Sequence, residues 1–265
     1  MLFFKNYFIK TIELIDIKII DLLELYNYFF MDFFELINKR RSVRKFSDVE
    51  VPESVMRKCL KASVLAANSS NLQPWEFYWV RSKEKKKDIV DACFSQNAAK
   101  TAKEFVVAVA RIDTWKRNRN LILEEYKKQN KFIPIIDNYY NKLIPLIYYH
   151  DRFGIAGLIK RIIYIFINIM GYFKPVLRGP VYKHELFETV TKTTALACQN
   201  FMMALVAEGF DSCPMEGFDE KRIKKILKLN WKCNVVMIFG IGKADTKGIY
   251  GERFRIDEDL VIKEV

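Results

Sequence analysis

The chain has 265 residues, of which 51% are apolar and 29% are charged, and it contains only 10 glycines and 7 prolines. This composition excludes a disordered chain, a collagen-like chain and a low-complexity array, and the apolar residues suffice for one large core. The net charge of +12 favours an anionic partner, a class that covers nucleic acid, an anionic membrane surface and a phosphate-bearing cofactor.

Residues 1–30 are apolar but interrupted at short intervals by lysines and acidic residues. They lack the uninterrupted apolar core and cleavage site of a signal peptide, and the long uncharged stretch of a membrane-spanning helix. Two interpretations stay open: the segment is an amphipathic N-terminal helix, or it is an upstream in-frame translation and Met31 is the true start. In either case we expect one domain over residues 31–265.

The residues that follow show the periodicities of alternating helices and strands. In chain order we expect a short helix over 32–40, a helix from 53 to about 67, a polar loop over 68–74, a strand over 76–80, a helix over 84–93 and a buried strand over 105–110. After a middle segment the series continues with a long helix over 185–208, a helix over 219–229 and a buried strand over 235–241.

The long helix should be central, because at 1.5 Å per residue it would be about 35 Å long, the width of a domain. Gly209 is expected to end it. The apolar and small residues at helical spacing predict its inward stripe as Leu186, Val190, Thr193, Ala197, Asn200, Ala204 and Ala207.

The middle segment, 113–182, is rich in aromatic residues and isoleucines and contains several prolines. Its pattern predicts helices without strands. Its most apolar part is 157–173, whose longest uncharged run, from Ile162 to Phe173, is too short to span a bilayer. One interpretation is a helical cap over a cofactor pocket or a dimer interface. The other is peripheral membrane contact, with basic residues at the lipid headgroups: Lys160, Arg161, Lys174 and Arg178.

The cysteines and histidines argue against metal binding. There are five cysteines without a C-x-x-C pair and only two histidines, His150 and His184, so no zinc site can be assembled and we predict no metal. The odd number of cysteines favours free, mostly buried thiols in a reducing compartment, which predicts a cytoplasmic protein. The basic run at 83–87 lacks interleaved aromatic residues, so we expect a solvated helix start and no nucleic-acid partner.

Two motifs in the first half carry groups suited to an anion and a heterocycle. In RRSVRKF, Arg40, Ser42 and Arg44 alternate, and on an extended segment they would converge on a phosphate or another delocalised anion. A charged surface turn is the alternative. In NSSNLQP, the polar side chains before Pro74 can form hydrogen bonds to the edge of a heterocyclic ring. A helix end that leads into a strand would also account for them.

Two further motifs lie in the second half. In CPMEGFD, Gly217 permits close backbone approach, the backbone N–H groups before the next helix are available to a ligand, and Asp219 suits the N-cap of that helix. In YGERFR, Arg253 and Arg255 alternate near the C-terminus and form either a second anion clamp or a basic tail.

Taken in order with the long helix, these motifs resemble the FMN-dependent nitroreductase family: RRSVRKF, SSNLQPWEF, PMEGFD and RFR. The resemblance covers residues 31–112 and 183–260, and the segment 113–182 corresponds to a variable insertion. It implies a three-layer α/β/α sandwich around a mixed, mostly antiparallel sheet. It also implies a homodimer with two non-covalent FMN sites at the subunit interface.

The resemblance assigns roles to the motif residues. Arg40 and Ser42 would hold the phosphate side of FMN, and Arg44 would lie near the N1–C2=O edge of the flavin. Ser69, Ser70 and Asn71, supplied by the other subunit, would line the ring and the ribityl chain. The backbone N–H of Glu216 or Gly217 would donate to flavin N5, and Arg253 and Arg255 would close over the phosphate. The full candidate set is Arg40, Arg41, Ser42, Arg44, Ser69, Ser70, Asn71, Gln73, Pro214, Met215, Glu216, Gly217, Arg253 and Arg255, with Arg44, Glu216 and Gly217 as its catalytic members.

The implied activity is a two-electron, ping-pong reduction of nitroaromatics, quinones or similar acceptors with NAD(P)H as donor. A cation near N1 eases flavin reduction, and the cofactor supplies the difficult chemistry. Two alternatives stay open. One is a specialised relative, dehalogenase-like or flavin-consuming, and the other is a membrane-peripheral flavin-binding protein without turnover.

Overall fold

The structure is a computed structural model that describes residues 32–131, 133–151 and 155–265. The expectations for residues 1–30 and for Met31 lie outside these described residues. The chain divides into two compact units, Met1–Arg40 and Arg41–Val265. In the first unit, α1 spans Phe33–Lys39, and Asp32 caps it by accepting a hydrogen bond from the Glu35 N–H at 2.8 Å.

The second unit contains helices on both sides of one sheet. Its helices are α2 Glu53–Ser63, α3 Lys83–Ala92, α4 Asn97–Thr101, α5 Trp115–Lys128, α6 Pro134–Asn138, α7 Ile144–Tyr148, α8 Ile155–Met170, α9 Lys183–Ala207 and α10 Glu220–Ile226, with a π-turn at Tyr139–Leu143 and 3-10 turns at Ser69–Asn71 and Glu258–Leu260. Its strands are β1 Trp75–Val80, β2 Glu104–Arg111, β3 Asp211–Met215 and β4 Cys233–Gly242.

The four strands form one antiparallel sheet in the order β1-β2-β4-β3. The central strands are the two apolar runs that the sequence predicted as buried, and the strand predicted over 76–80 is the edge strand β1. A parallel pairing occurs at the isolated bridge between Ser42 and Ser212. The sheet is therefore mostly antiparallel, as predicted.

Alternate residues of β2 face two different helical layers, because successive side chains of a strand point to opposite faces. Phe105, Val107 and Val109 pack in one cluster with residues of α3, α4 and α10. Val106 and Ala108 pack in a second cluster with residues of α2 and α9. This arrangement confirms the predicted three-layer α/β/α sandwich.

The long helix α9 packs on one face of this sheet, and its predicted inward stripe is correct only in the N-terminal half. The residues it buries are Leu186, Val190, Thr193, Thr194, Ala197, Cys198, Phe201, Met202, Leu205 and Val206. Asn200 and Ala204 are only half-buried, and Ala207 is exposed. Bulky apolar side chains therefore set the buried face in the second half, and the small residues of the predicted stripe lie beside it.

Two other boundaries differ from the predictions. Helix α2 ends at Ser63 rather than near 67, and the Ser63 hydroxyl donates to the Leu60 carbonyl at 2.7 Å in its last turn. The stretch 213–219 was expected only to connect two helices, but its first residues belong to β3. Pro214 is tolerated there because β3 is an edge strand, where a missing N–H does not break the sheet.

The described residues of the segment 113–182 form helices α5 to α8 and the π-turn, as predicted. No helix in the described part of the chain is both long and apolar enough to cross a membrane. All five cysteines are free and buried, which agrees with their predicted place in the core.

The core of the sandwich gives a first testable prediction. Phe201 is fully buried between the helical layer and the sheet, with its ring 5.3 Å from that of Phe239. Phe201→Ala should lower the free energy of unfolding by about 3–5 kcal/mol, because it leaves a cavity in a packed interior. Lys192→Ala on the same helix removes only an exposed ion pair with Glu188. It should change the free energy of unfolding by about 0.5 kcal/mol or less. Chemical denaturation of both variants checks this, and equal losses would contradict the assigned burial.

Candidate functional site

The segment 41–46 runs beside β3. The backbone N–H of Val43 donates to the Ser212 carbonyl at 3.1 Å, and that of Arg44 donates to the Gly248 carbonyl at 2.7 Å. The backbone bends at Arg44 and Lys45. The uninterrupted extended segment assumed from the sequence is therefore wrong from Arg44 onward, because the turn around Gly248 bonds the chain there.

The arginines of the first motif have different surroundings. Arg40 belongs to the first unit, where its backbone N–H donates to the Leu36 carbonyl at the end of α1. Its convergence with Ser42 and Arg44 stays a prediction. The Arg41 guanidinium donates to the Gly251 carbonyl at 2.6 Å, so it joins the first motif to the YGERFR motif, 210 residues further along the chain.

Arg44 lies against Cys213 of β3. Burial raises the pKa of the Cys213 thiol, while the charge of the Arg44 guanidinium and its hydrogen bond to the sulfur act in the opposite direction. The net shift of this pKa is upward, so the thiol stays protonated at neutral pH. A raised pKa disfavours the thiolate that a catalytic cysteine needs.

The third motif continues from β3 into an exposed turn. Met215 is buried in the core, so only its backbone is accessible to a ligand, and Pro214 pairs with Phe239 in the sheet. Glu216 and Gly217 are exposed. Their backbone N–H groups donate to no other described residue, and a Cβ added at Gly217 would meet nothing within 4 Å. These N–H groups are therefore available to a ligand.

The turn that carries these N–H groups is held from both sides. Gln96 donates a side-chain hydrogen bond to the Gly217 carbonyl at 3.1 Å. The backbone N–H of Asp219 donates to the Ala92 carbonyl at 2.8 Å, and its carboxylate accepts from Arg222 N–H at 3.2 Å as the predicted N-cap of α10. Gln96 was not among the predicted residues, since it lies far away in sequence and belongs to no motif.

The fourth motif lies next to the same turn. The side chain of Asn97, the residue after Gln96, donates to the Tyr250 hydroxyl at 3.2 Å. Tyr250 directly precedes Gly251. Arg253 is half-buried and Arg255 is exposed, with its guanidinium donating to the Phe254 carbonyl at 2.7 Å. The first, third and fourth motifs thus meet along β3.

The second motif forms a loop in an unusual backbone conformation. Ser70, Asn71 and Gln73 have φ angles of 59°, 50° and 45°, in the left-handed region that costs non-glycine residues energy. Internal bonds offset part of that cost: the Asn68 side chain accepts from the Gln73 N–H at 2.9 Å. Such costly conformations cluster at binding and active sites, so the loop stays a candidate for ligand binding.

The insertion fixes this loop from outside. The Ser70 and Tyr139 hydroxyls are 2.6 Å apart and hydrogen-bonded, and the Tyr140 hydroxyl donates to the Ser70 carbonyl at 3.0 Å. The side chain of Asn118 donates to the Leu72 carbonyl at 2.7 Å. Nothing in the sequence patterns singled out these three residues of the insertion. A cavity of about 720 Å³ lies between the loop and α5, and its lining includes Asn71 and Gln73.

The second motif and the other three lie at opposite edges of the sheet, and the second and first motifs lie at opposite corners. The loop 68–74 enters β1, whose first residue Trp75 pairs with Ala110 of β2. The segment 41–46 pairs with Ser212 of β3, at the opposite edge and near the opposite end of the strands. The separation is about 14 Å across the sheet and about 20 Å along it. One copy of the chain therefore does not bring all four motifs together.

Comparisons with known proteins identify the family of the chain. The sequence model described as "Nitroreductase family" matches residues 37–243.

The chain belongs to the Nitroreductase family.

Individual members show the extent of the similarity. YdgI of Bacillus subtilis is 27% identical over 233 residues, which cover 85% of this chain and 95% of YdgI. The crystal structure of YdfN, also from Bacillus subtilis, has a TM-score of 0.68 at 20% identity and covers 88% of this chain and 98% of that chain. A structure from Exiguobacterium sibiricum, solved in complex with FMN, has a TM-score of 0.65 at 21% identity and covers 89% and 98%. These solved structures share the nitroreductase fold.

No group of three or more histidine, cysteine, aspartate or glutamate side chains suited to a metal ion occurs within the described ranges. The polar groups of this family member's candidate site are instead guanidinium groups, hydroxyls and backbone N–H groups. Such a donor set binds anions and hydrogen-bond acceptors.

Gly248 gives a second prediction, because it joins the turn at 245–248 to the first motif. A Cβ added there would collide with the Lys45 carbonyl oxygen. Gly248→Ala should therefore displace the segment 41–46 and lower the free energy of unfolding by about 1–3 kcal/mol. Gly251→Ala is the matched control, since a Cβ there meets nothing within 4 Å. Thermal unfolding of the two variants should separate them, and equal midpoints would show that the contact at Lys45 is not tight.

Proposed function

We propose that the protein is an FMN-dependent oxidoreductase that takes electrons from NAD(P)H and reduces nitroaromatics, quinones or similar acceptors in a ping-pong cycle. The main observation behind the proposal is that three motifs meet along β3. Arg44 contacts Cys213 of β3, and Arg41 contacts Gly251 of the fourth motif. The N–H groups of Glu216 and Gly217, which begin three residues beyond Cys213, donate to no other described residue. Two relatives support the proposed cofactor and electron donor. The Exiguobacterium protein was solved with FMN, and the name of YdgI provisionally assigns it as an NAD(P)H nitroreductase.

The donor set along β3 fits FMN. A terminal phosphate needs cations and hydroxyls, and the first and fourth motifs offer Arg41, Ser42, Arg253 and Arg255, with Arg40 as a further candidate. The flavin ring needs donors at its polar edge, and the exposed turn at 216–217 offers two N–H groups without other partners. The open space around Gly217 allows a flat ring to approach the backbone.

Bound FMN supplies the two-electron transfer between donor and acceptor. The protein's own residues bind and orient. Arg44 places a fixed positive charge beside the position proposed for the N1–C2=O edge, which stabilises negative charge that develops there. Gln96 holds the carbonyl of Gly217 and thereby keeps the neighbouring N–H groups in place for the flavin N5.

The separation of the motifs favours a homodimer as the functional unit. The loop 68–74 lies at the far corner of the sheet, so Ser69, Ser70 and Asn71 are proposed to reach the flavin of a second copy of the chain. The left-handed conformation of this loop and its bonds to Tyr139 and Asn118 preorganise it for that contact. The insertion would in this way support the site indirectly. Its helices would also contribute to the choice of acceptor, and so to whether the protein is instead a dehalogenase-like or flavin-consuming relative.

The proposal is tested by flavin identification and two neighbouring substitutions. The purified protein should be yellow and carry FMN rather than FAD. Arg44→Ala should weaken FMN binding by about 10- to 100-fold, as expected when a charged hydrogen-bond partner is removed, and should slow reduction by NAD(P)H. Cys213→Ser, which changes the group that Arg44 contacts, should keep most of the turnover because the thiol has no chemical step to perform.

Three results would contradict the proposed function. A protein that stays colourless when mixed with excess FMN would remove the cofactor from the proposal. Loss of turnover in Cys213→Ser with flavin still bound would assign the chemistry to the thiol instead. A flavin-containing protein that fails to oxidise NAD(P)H with any acceptor would favour the alternative of a flavin-binding protein without turnover.

A further inference from the structure

Helix α8 has its polarity reversed relative to an ordinary surface helix. A surface helix of a globular protein turns its apolar stripe toward the core and its polar residues toward water. In α8 the side chains that are buried or half-buried are Lys160, Tyr164, Ile167 and Asn168, three of which are polar. The apolar side chains that are each more than half exposed are Ile155, Leu158, Ile159, Ile162, Ile165, Phe166 and Ile169.

Lys160 fixes the helix in this orientation. Its ammonium group donates to the Ile147 carbonyl at 2.8 Å at the end of α7 and lies 3.2 Å from His150 Nε2. Burial lowers the pKa of Lys160 to about 8 and, with the nearby ammonium, that of His150 to about 4. A buried lysine turned toward the protein leaves the isoleucines and Phe166 on the outside.

The exposed apolar surface continues past the end of α8. Tyr172 and Phe173 are 88% and 86% exposed at the tip that follows the helix. Arg178 holds this tip by donating to the Asn168 side chain at 3.3 Å and to the Gly171 carbonyl at 3.2 Å. We call the outer face of α8 together with Tyr172 and Phe173 the apolar face.

The exposed charged side chains of α8 and of the segment after it are all basic. Arg161, Lys174 and Arg178 are exposed. The sequence from 155 to 182 contains four basic residues and no aspartate or glutamate. Asp151 lies at the start of α8, where its half-buried carboxylate accepts a hydrogen bond from the Ile155 N–H at 3.0 Å. An apolar face flanked by exposed cations along its length matches the boundary of an anionic bilayer, where acyl chains lie below a negatively charged headgroup layer.

We propose that the apolar face docks the protein on the surface of an anionic lipid bilayer. At 16 residues α8 is about 24 Å long and lies in the plane of the interface, with its isoleucines among the acyl chains. The basic residues contact the headgroups, and Tyr172 lies at the level favoured by aromatic rings with a polar tip. A second copy of the chain is the less favoured occupant, because a two-fold contact would bring the same uncompensated cations together.

The test is vesicle co-sedimentation of the full chain. The vesicles contain phosphatidylcholine alone or with phosphatidylglycerol, and the wild type should bind the second kind and be released by high salt. Ile162→Glu combined with Phe166→Glu should lower binding about ten-fold or more. The control combines Val49→Glu with Phe94→Glu, which are exposed apolar residues outside this face with the same change in charge, and it should bind like the wild type.

A single substitution tests the role of the charges separately. Lys174→Gln should weaken binding to phosphatidylglycerol vesicles by about five-fold, the contribution of one basic residue near an anionic surface. Circular dichroism and thermal unfolding of every variant show that its fold is intact, independently of any flavin.

Three outcomes would overturn the proposal. The wild type does not bind phosphatidylglycerol vesicles, or the variant pair on α8 binds as well as the control pair. In the third outcome the wild type does not bind vesicles, and the double substitution on α8 changes the molar mass of the protein in solution. That result would assign the apolar face to contact with a second copy of the chain.

Discussion

The pairing of β2 with β4 is the interaction on which the rest of the structure depends. These two strands form the centre of the sheet and are covered by helices on both faces. Their position leaves β1 and β3 as the two edges. Each edge carries one part of the candidate site, and the width of the sheet keeps the parts separate within one copy. The homodimer in the proposed function follows from this constraint.

The β3 edge gathers groups that are far apart in sequence. Arg41 contacts Gly251, and Arg44 contacts Cys213. The turn that begins three residues beyond Cys213 exposes backbone donors. The β1 edge carries a loop in a costly backbone conformation that the insertion helps to hold. The insertion therefore has two separate surfaces of interest. Its inner residues support the loop, and the outer face of α8 is proposed to contact lipid.

Much of the fold could be predicted from the sequence, because β2 and β4 are continuous apolar runs and α9 is a long periodic segment. β3 could not be predicted, since Asp211, Ser212 and Pro214 do not resemble a strand and only the free edge of β4 makes them one. The motif residues along β3 were singled out beforehand. The residues that hold them, among them Gln96 and Gly248, belong to no local pattern and become visible only when distant segments meet.

The central claim is that each site combines residues from two copies of the chain, and subunit complementation tests it most directly. Arg44→Ala removes the cation at the β3 edge, and Asn71→Gly removes a side chain at the β1 edge while keeping its left-handed backbone conformation. Each variant alone should have low NAD(P)H-dependent turnover. After mixing and subunit exchange, about a quarter of the wild-type activity should return, because half of the dimers then hold one intact site. Activity that stays at the level of the separate variants, although mixed dimers form, would contradict a shared site.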